Sequence, residues 1–246
     1  HKNILKFIGY HLTRDLSVAF LVSPYFVNGN VREYLCRTPA ASLEEKLKLV
    51  QDTACGLEYL HTRNPPVLHG DLKAVNVLIN EGREAVLCDF GLTTVMNERT
   101  DLTTATGFKG TMRWCPLDVI LGARQTLESD IWSWGCLVME IITGNYPYSE
   151  FPTEGAIVLS MHQEKRTPWP LNDYVDILPG RLFRLVKICW SFEAKDRPHA
   201  STCMSEMDEI IVLELPLWVI FLLRKRRKSI TKSNQTDIWF GLPARV

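Results

Sequence analysis

Two polar clusters on either side of a short apolar hairpin constrain this chain more than any other feature. The first is His69-Gly70-Asp71-Leu72-Lys73-Ala74-Val75-Asn76, and the second is Asp89-Phe90-Gly91. Between them lie two apolar runs, 77–79 and 85–87, split by Asn80-Glu81-Gly82, which reads as two strands and a tight turn. A hairpin brings its flanks together, so Asp71, Asn76 and Asp89 are predicted to converge in one small volume. Two oxygen-bearing side chains, one of them a carboxylate, suit a hard cation such as Mg²⁺ carrying phosphate. A second carboxylate nearby can accept a hydroxyl proton. Phosphoryl transfer needs that ensemble, because its catalysis is mainly alignment and charge neutralisation.

The rest of the chain supplies a frame for that point. Residues 5–11 and 18–22 are rich in aliphatic and aromatic side chains, flank a polar turn, and predict adjacent strands. After Asn28-Gly29-Asn30 the pattern turns mostly helical as far as residue 213. Ser42, with Glu45 three positions on, has capping-box form and precedes Leu43, Leu47, Val50, Ala54 and Leu57 at helical spacing. A long amphipathic helix starts there and stops before Pro65 and Pro66. Residues 131–142 are apolar on every face yet too short to cross a bilayer, which predicts a buried central helix. Further helices are predicted at 154–163, 181–190 and 201–213. The fold class is α+β, dominated by helices.

At 246 residues and 46% hydrophobic, the chain can bury a core. Its 28 basic residues balance 28 acidic ones, but the sum hides an asymmetry. Residues 214–246 hold seven Lys/Arg against Glu214 and Asp237, a net of +5, which leaves residues 1–213 at −5. That balance argues against a nucleic-acid binder. The seven cysteines are odd in number and form no C-x-x-C pair, which predicts reduced thiols in a cytoplasmic protein. His1 leads straight into a strand-like segment, without a charged and then apolar leader.

HGDLKAVN resembles the catalytic loop of protein kinases, H-R-D-L-x-x-x-N, at all but one position, and Asp89-Phe90-Gly91 resembles their metal-binding motif. GTMRW at 110–114 resembles the substrate-docking loop and SDIWSWG at 129–135 the start of the central helix. Cys189-Trp190, followed by Asp196-Arg197-Pro198, resembles the closing signature. The resemblance runs from residue 1 to about 213 and is nearest to the tyrosine-kinase-like group, whose members are mostly Ser/Thr-specific. It implies a protein-kinase-like fold: 1–27 as the end of the N-terminal lobe, two strands and the hinge, and 28–213 as the helical C-terminal lobe. Residues 214–246 are then a basic tail expected to be disordered. The implied activity is transfer of the γ-phosphate of ATP to a protein Ser/Thr hydroxyl in signal transduction. By the same resemblance Asp71 is the catalytic base, Lys73 steadies the γ-phosphate, and Asn76 and Asp89 hold Mg²⁺. Lys73 and Thr111 match the Ser/Thr-specific pattern. Ser23-Pro24-Tyr25-Phe26 matches the hinge, so the Pro24 carbonyl and the Phe26 N–H are expected to pair with adenine over a floor formed by Leu78.

The chain also departs from the family. Gly70 replaces the Arg that pairs with a phosphate on the activation segment, so Thr93, Thr94, Thr100, Thr103, Thr104 and Thr106 carry no implied switch. Pro116-Leu117-Asp118 replaces A-P-E and leaves Asp118 as the candidate partner of Arg197. No Gly-rich phosphate loop, V-A-I-K lysine or paired glutamate helix occurs in the sequence. The expectation is that these 246 residues alone are inactive and aggregation-prone, their first two strands forming a marginal ribbon with an open edge. PLWVIFLL at 216–223, before the basic run 224–228, resembles a short membrane anchor, and read-through past the domain explains it equally well. The alternative to an enzyme is a pseudokinase or scaffold that binds without catalysis; intact Asp71, Lys73, Asn76 and Asp89 weigh against it.

Overall fold

The protein is described by a computed structural model covering residues 1–14, 18–90, 92–95, 111–174, 176 and 178–214. The expectations placed on Gly91, Gly110, the threonines at 100, 103, 104 and 106, and the tail from 215 onward lie outside the described residues.

Two strands, β1 (Gly9–Leu12) and β2 (Ala19–Val22), pair antiparallel with Tyr10 opposite Leu21. They form a two-stranded ribbon whose apolar side chains stay in contact with solvent; Leu21 is 78% exposed. The segment before it is tied down differently. Asn3 is fully buried, and the main chain of residues 3–5 hydrogen-bonds Leu87 on both sides, Leu87 N to Asn3 O at 2.9 Å and Leu5 N to Leu87 O at 2.8 Å.

Helix α1 (Val31–Arg37) follows the polar break and was not predicted as a separate element. Its start was legible: Asn30 accepts from Glu33 N at 2.9 Å, and the Glu33 side chain accepts from Asn30 N. Helix α2 (Leu43–His61) begins where predicted, with Ser42 Oγ accepting from Glu45 N at 3.2 Å. Only half of the predicted capping box forms, because the Glu45 carboxylate instead accepts the Tyr34 hydroxyl at 2.6 Å.

After strand β3 (Val67–Leu68) the predicted hairpin appears as β4 (Val77–Ile79) and β5 (Ala85–Leu87), in the register Val77 opposite Leu87. Strand β6 (Thr94–Val95) returns to pair with β3. Helices α3 (Leu117–Ile120), α4 (Leu127–Thr143), α5 (Glu154–Glu164), α6 (Gly180–Cys189) and α7 (Ala200–Glu214) complete the described body.

Helix α4 is the axis of the core, buried without interruption from Ser129 to Ile142. A helix apolar on all sides has to be surrounded by other elements, and α1, α2 and α6 do so. At Gly135 the approach is close: an added Cβ would lie 2.8 Å from the Trp190 indole nitrogen, so this position admits no larger residue without a shift. Trp134 donates to Thr53 on α2 at 3.0 Å, and Gln51 of α2 bonds Asp208 of α7 at 2.7 Å. Among the described residues no helix is long and apolar enough to cross a membrane.

Candidate active site

The loop between β3 and β4 carries the first polar cluster, ending in a 3-10 turn at Ala74–Asn76. Its central carboxylate, Asp71, is met by three side chains. Lys73 Nζ reaches Asp71 Oδ2 at 2.5 Å, Thr111 Oγ1 donates to Oδ1 at 2.9 Å, and Asn76 Nδ2 donates to Oδ2 at 2.9 Å and to the Asp71 carbonyl at 2.8 Å. Lys73 Nζ also donates to Thr111 Oγ1 at 2.6 Å, closing a triangle of acid, base and hydroxyl. Thr111 comes from forty residues along the chain, and the structure brings it onto Asp71.

The backbone of this loop hangs from Asp130 on α4. The buried Asp130 carboxylate accepts from His69 N at 2.8 Å and Gly70 N at 2.9 Å, with His61 Nε2 at 3.0 Å. His69 is fully buried, which lowers its pKa and keeps the imidazole neutral. Its bonds fit that form: Nε2–H donates to the Cys88 carbonyl at 3.1 Å, and Nδ1 accepts from Asp71 N at 3.3 Å. His69 thus spans the two polar clusters. Gly70 sits at φ +85°, where an added Cβ would lie 2.9 Å from both the Leu92 carbonyl oxygen and Gln125 Oε1.

The hairpin register places the second cluster. Val77 faces Leu87, and Cys88 N donates to the Asn76 carbonyl at 3.0 Å, so Asp89 emerges directly beside Asn76. Asp89 has φ +61°, a left-handed turn that ends the strand path. With both N–H bonds of Asn76 given to Asp71, its amide oxygen is the atom left for a ligand. An amide oxygen and a carboxylate are hard donors of the kind Mg²⁺ takes. Cys88 is buried, and burial pushes its thiol up to about 11, which disfavours the reactive thiolate.

Pro24, Phe26 and Leu78 line one cleft of about 460 Å³, together with Asn30, Glu33 and Arg37. The predicted hinge and floor residues therefore share a surface. On the far side Arg197 is buried and donates to the carbonyls of Ser191 and Glu128 at 2.9 and 3.1 Å, while Asp118 lies 3.5 Å away. Burial lowers the Arg197 pKa, and the Asp118 carboxylate opposes that shift. The pair expected from the sequence forms.

The sequence pattern of the family described as protein tyrosine and serine/threonine kinase matches residues 1–207. The chain belongs to the protein kinase family. It is 30% identical over 235 residues to the serine/threonine/tyrosine-protein kinase HT1 of Arabidopsis thaliana, covering 94% of this chain and 57% of that protein. It is 28% identical over 215 residues to mitogen-activated protein kinase kinase kinase 7 of Drosophila melanogaster, 86% of this chain and 30% of the relative. With the dual specificity protein kinase shkA of Dictyostelium discoideum the identity is 27% over 215 residues, 86% and 40% of the two chains. Of the relatives compared, HT1 and two others are matched over 12% to 60% of their own length.

Within this candidate site, sequence reasoning missed the supports. Asp130 was read only as part of a motif, and Glu140 only as one residue of the 131–142 run. A signal was present: a carboxylate inside a wholly apolar helix must find partners, so its presence there marks a fixed contact.

Proposed function

We propose that this protein is a Ser/Thr protein kinase, transferring the γ-phosphate of Mg-ATP to a protein hydroxyl. The observation that carries this reading is the closed contact among Asp71, Lys73 and Thr111, with Asn76 bonded to the same carboxylate. Asp71 orients the substrate hydroxyl and takes its proton as the new P–O bond forms and the bond from the γ-phosphorus to the β–γ bridging oxygen breaks, releasing ADP. Lys73, within reach of both Asp71 and Thr111, is placed to balance charge on the transferring phosphoryl group. Asn76 and Asp89 would hold Mg²⁺, which neutralises phosphate charge when bound. Pro24 and Phe26 would present main-chain groups to the adenine, and Leu78 would form the floor of the same cleft. Lys73 and Thr111, bonded to each other and to Asp71, match the Ser/Thr-specific pattern, which supports a Ser/Thr over a Tyr acceptor. The substrate is a protein by family, and the seven free cysteines, five of them buried, support a reducing cytoplasmic setting.

The second reading is a pseudokinase or scaffold that binds without catalysis; these 246 residues contain no Gly-rich loop and no V-A-I-K lysine. Losing such preorganised charge costs about 10²-fold per group, so these residues alone are expected to turn over poorly even where the full gene product is active.

One paired experiment separates the readings. The full-length gene product is incubated with Mg-ATP and a mixed protein substrate, and the phosphoamino acids formed are identified. Phosphoserine and phosphothreonine are expected. Phosphotyrosine alone would overturn the Ser/Thr assignment, and Mg-nucleotide binding without any transfer would establish the scaffold.

A further inference from the structure

Two segments of the site end on one buried oxygen. Glu140 lies on α4 with its side chain 2% exposed, and its Oε2 accepts Ala74 N–H at 2.9 Å and the Trp114 indole N–H at 2.7 Å. Ala74 follows Asp71 by three residues, and Trp114 follows Thr111 by three. The loop and the segment thus touch twice: directly, through Asp71, Lys73 and Thr111, and one turn further on through Glu140. Trp114 is held from its other side as well, its carbonyl accepting from Ser133 Oγ at 2.7 Å.

We propose that Glu140 is a positioning residue of the phosphoryl-transfer site, fixing the Asp71 loop and the Thr111 segment in one register by accepting a hydrogen bond from each on a single oxygen. This rests on the reading of the site given above. A carboxylate suits the task better than an amide or a hydroxyl, because hydrogen bonds to an ionised acceptor are roughly twice as strong as neutral ones. The surroundings make that ionisation conditional. Burial raises the Glu140 pKa to about 7, against the pull of its two donors, of Arg32 and of Lys73. These charged and titratable groups face it among the described residues. Arg32 of α1 stands 4.0 Å from Oε1, its guanidinium seated 3.6 Å over the Tyr146 ring. Lys73 approaches from the loop and Cys136 from the preceding turn of α4. Lys46 of α2 lines the same 210 Å³ cavity but donates to the Ile142 carbonyl at 2.7 Å. Near neutrality, therefore, gain of one proton weakens both ends of the bridge together.

The test needs no nucleotide. In the 15N-labelled chain the Trp114 indole resonance, assigned with Trp114→Phe, is followed from pH 5.5 to 8.5, with the Trp134 indole, bonded to Thr53, as internal control. The Trp114 signal is expected to titrate near neutrality and the control to stay still. In Glu140→Gln the titration is expected to vanish, and the Ala74 amide to exchange about tenfold faster, as for loss of about one buried hydrogen bond. An indole that does not titrate, or Ala74 exchange unchanged in folded Glu140→Gln, overturns the proposal. Should Glu140→Gln not fold, the wild-type titration decides alone. In the full-length gene product, Glu140→Gln is expected to lower kcat about tenfold with KM for ATP unchanged, and to remove a pH-rate limb near 7. A raised KM with kcat unchanged would contradict positioning. No transfer in the wild type would instead overturn the kinase reading, leaving the bridge to the resonance data.

Discussion

Gly70 shows how much one position can hold. The family pattern calls for Arg there, and the departure to Gly was plain in the sequence, but its backbone consequence was not, since φ is set by what Asp130 pulls on. At φ +85°, with the Leu92 carbonyl 2.9 Å from an added Cβ, Gly70→Ala is expected to lower stability by about 1–3 kcal/mol. Urea denaturation reads this directly, and an unchanged midpoint would show that the loop can yield. Asp52 supplies a second test at this scale. Burial raises its carboxyl from 3.8 to about 6, although Lys2 and the Ala85 amide pull the other way. The folded state therefore holds this proton across a range in which the unfolded chain has released it. Its contribution to stability is full below about pH 3.8 and is lost as pH rises to about 6. Wild type is thus expected to lose Tm relative to Asp52→Asn between pH 4 and 6.5, and a constant gap between the two would contradict the shift.

Among the elements, α4 organises the site that the loops display. Its helical period and total burial could be read from 131–142 directly, because an apolar run of that length has no other place. What could not be read was direction: periodicity says that Asp130 lies in a buried helix, not that it faces His69 and Gly70. Asp130→Ala leaves three donors without their acceptor and is expected to cost about 3–5 kcal/mol, seen as a fall in Tm and faster proteolysis of the β3–β4 loop. An unperturbed Tm would mean that the loop is held elsewhere. Helix α1 was overlooked for a different reason: Asn28-Gly29-Asn30 reads as a break, while the cap formed by Asn30 and Glu33 is a start. The ribbon β1–β2 is the weak element. Phe20 and Leu21 are 54% and 78% exposed beside open strand edges. Leu21→Lys is expected to suppress light scattering by the concentrated chain without moving Tm, and unchanged scattering would exonerate the ribbon.

For the molecule as a whole, the order of the motifs along the chain carried the family, and the hairpin carried the backbone pairing that sets Cys88 against Asn76. Chain spacing could not show that Thr111 closes on Asp71 from forty residues away, or that Glu140 joins both segments from below, since those contacts depend on how helices pack around α4. The same packing sets the central expectation, that Asp71 is the base of a phosphoryl-transfer site. Transfer of radiolabelled γ-phosphate by the full-length gene product is the direct measurement, comparing wild type with Asp71→Asn at matched folding. Asp71→Asn is expected to lose about 10²–10⁴-fold in kcat while retaining Mg-ATP binding. Equal rates for the two proteins would remove Asp71 from the chemistry, and with it the reading of this site.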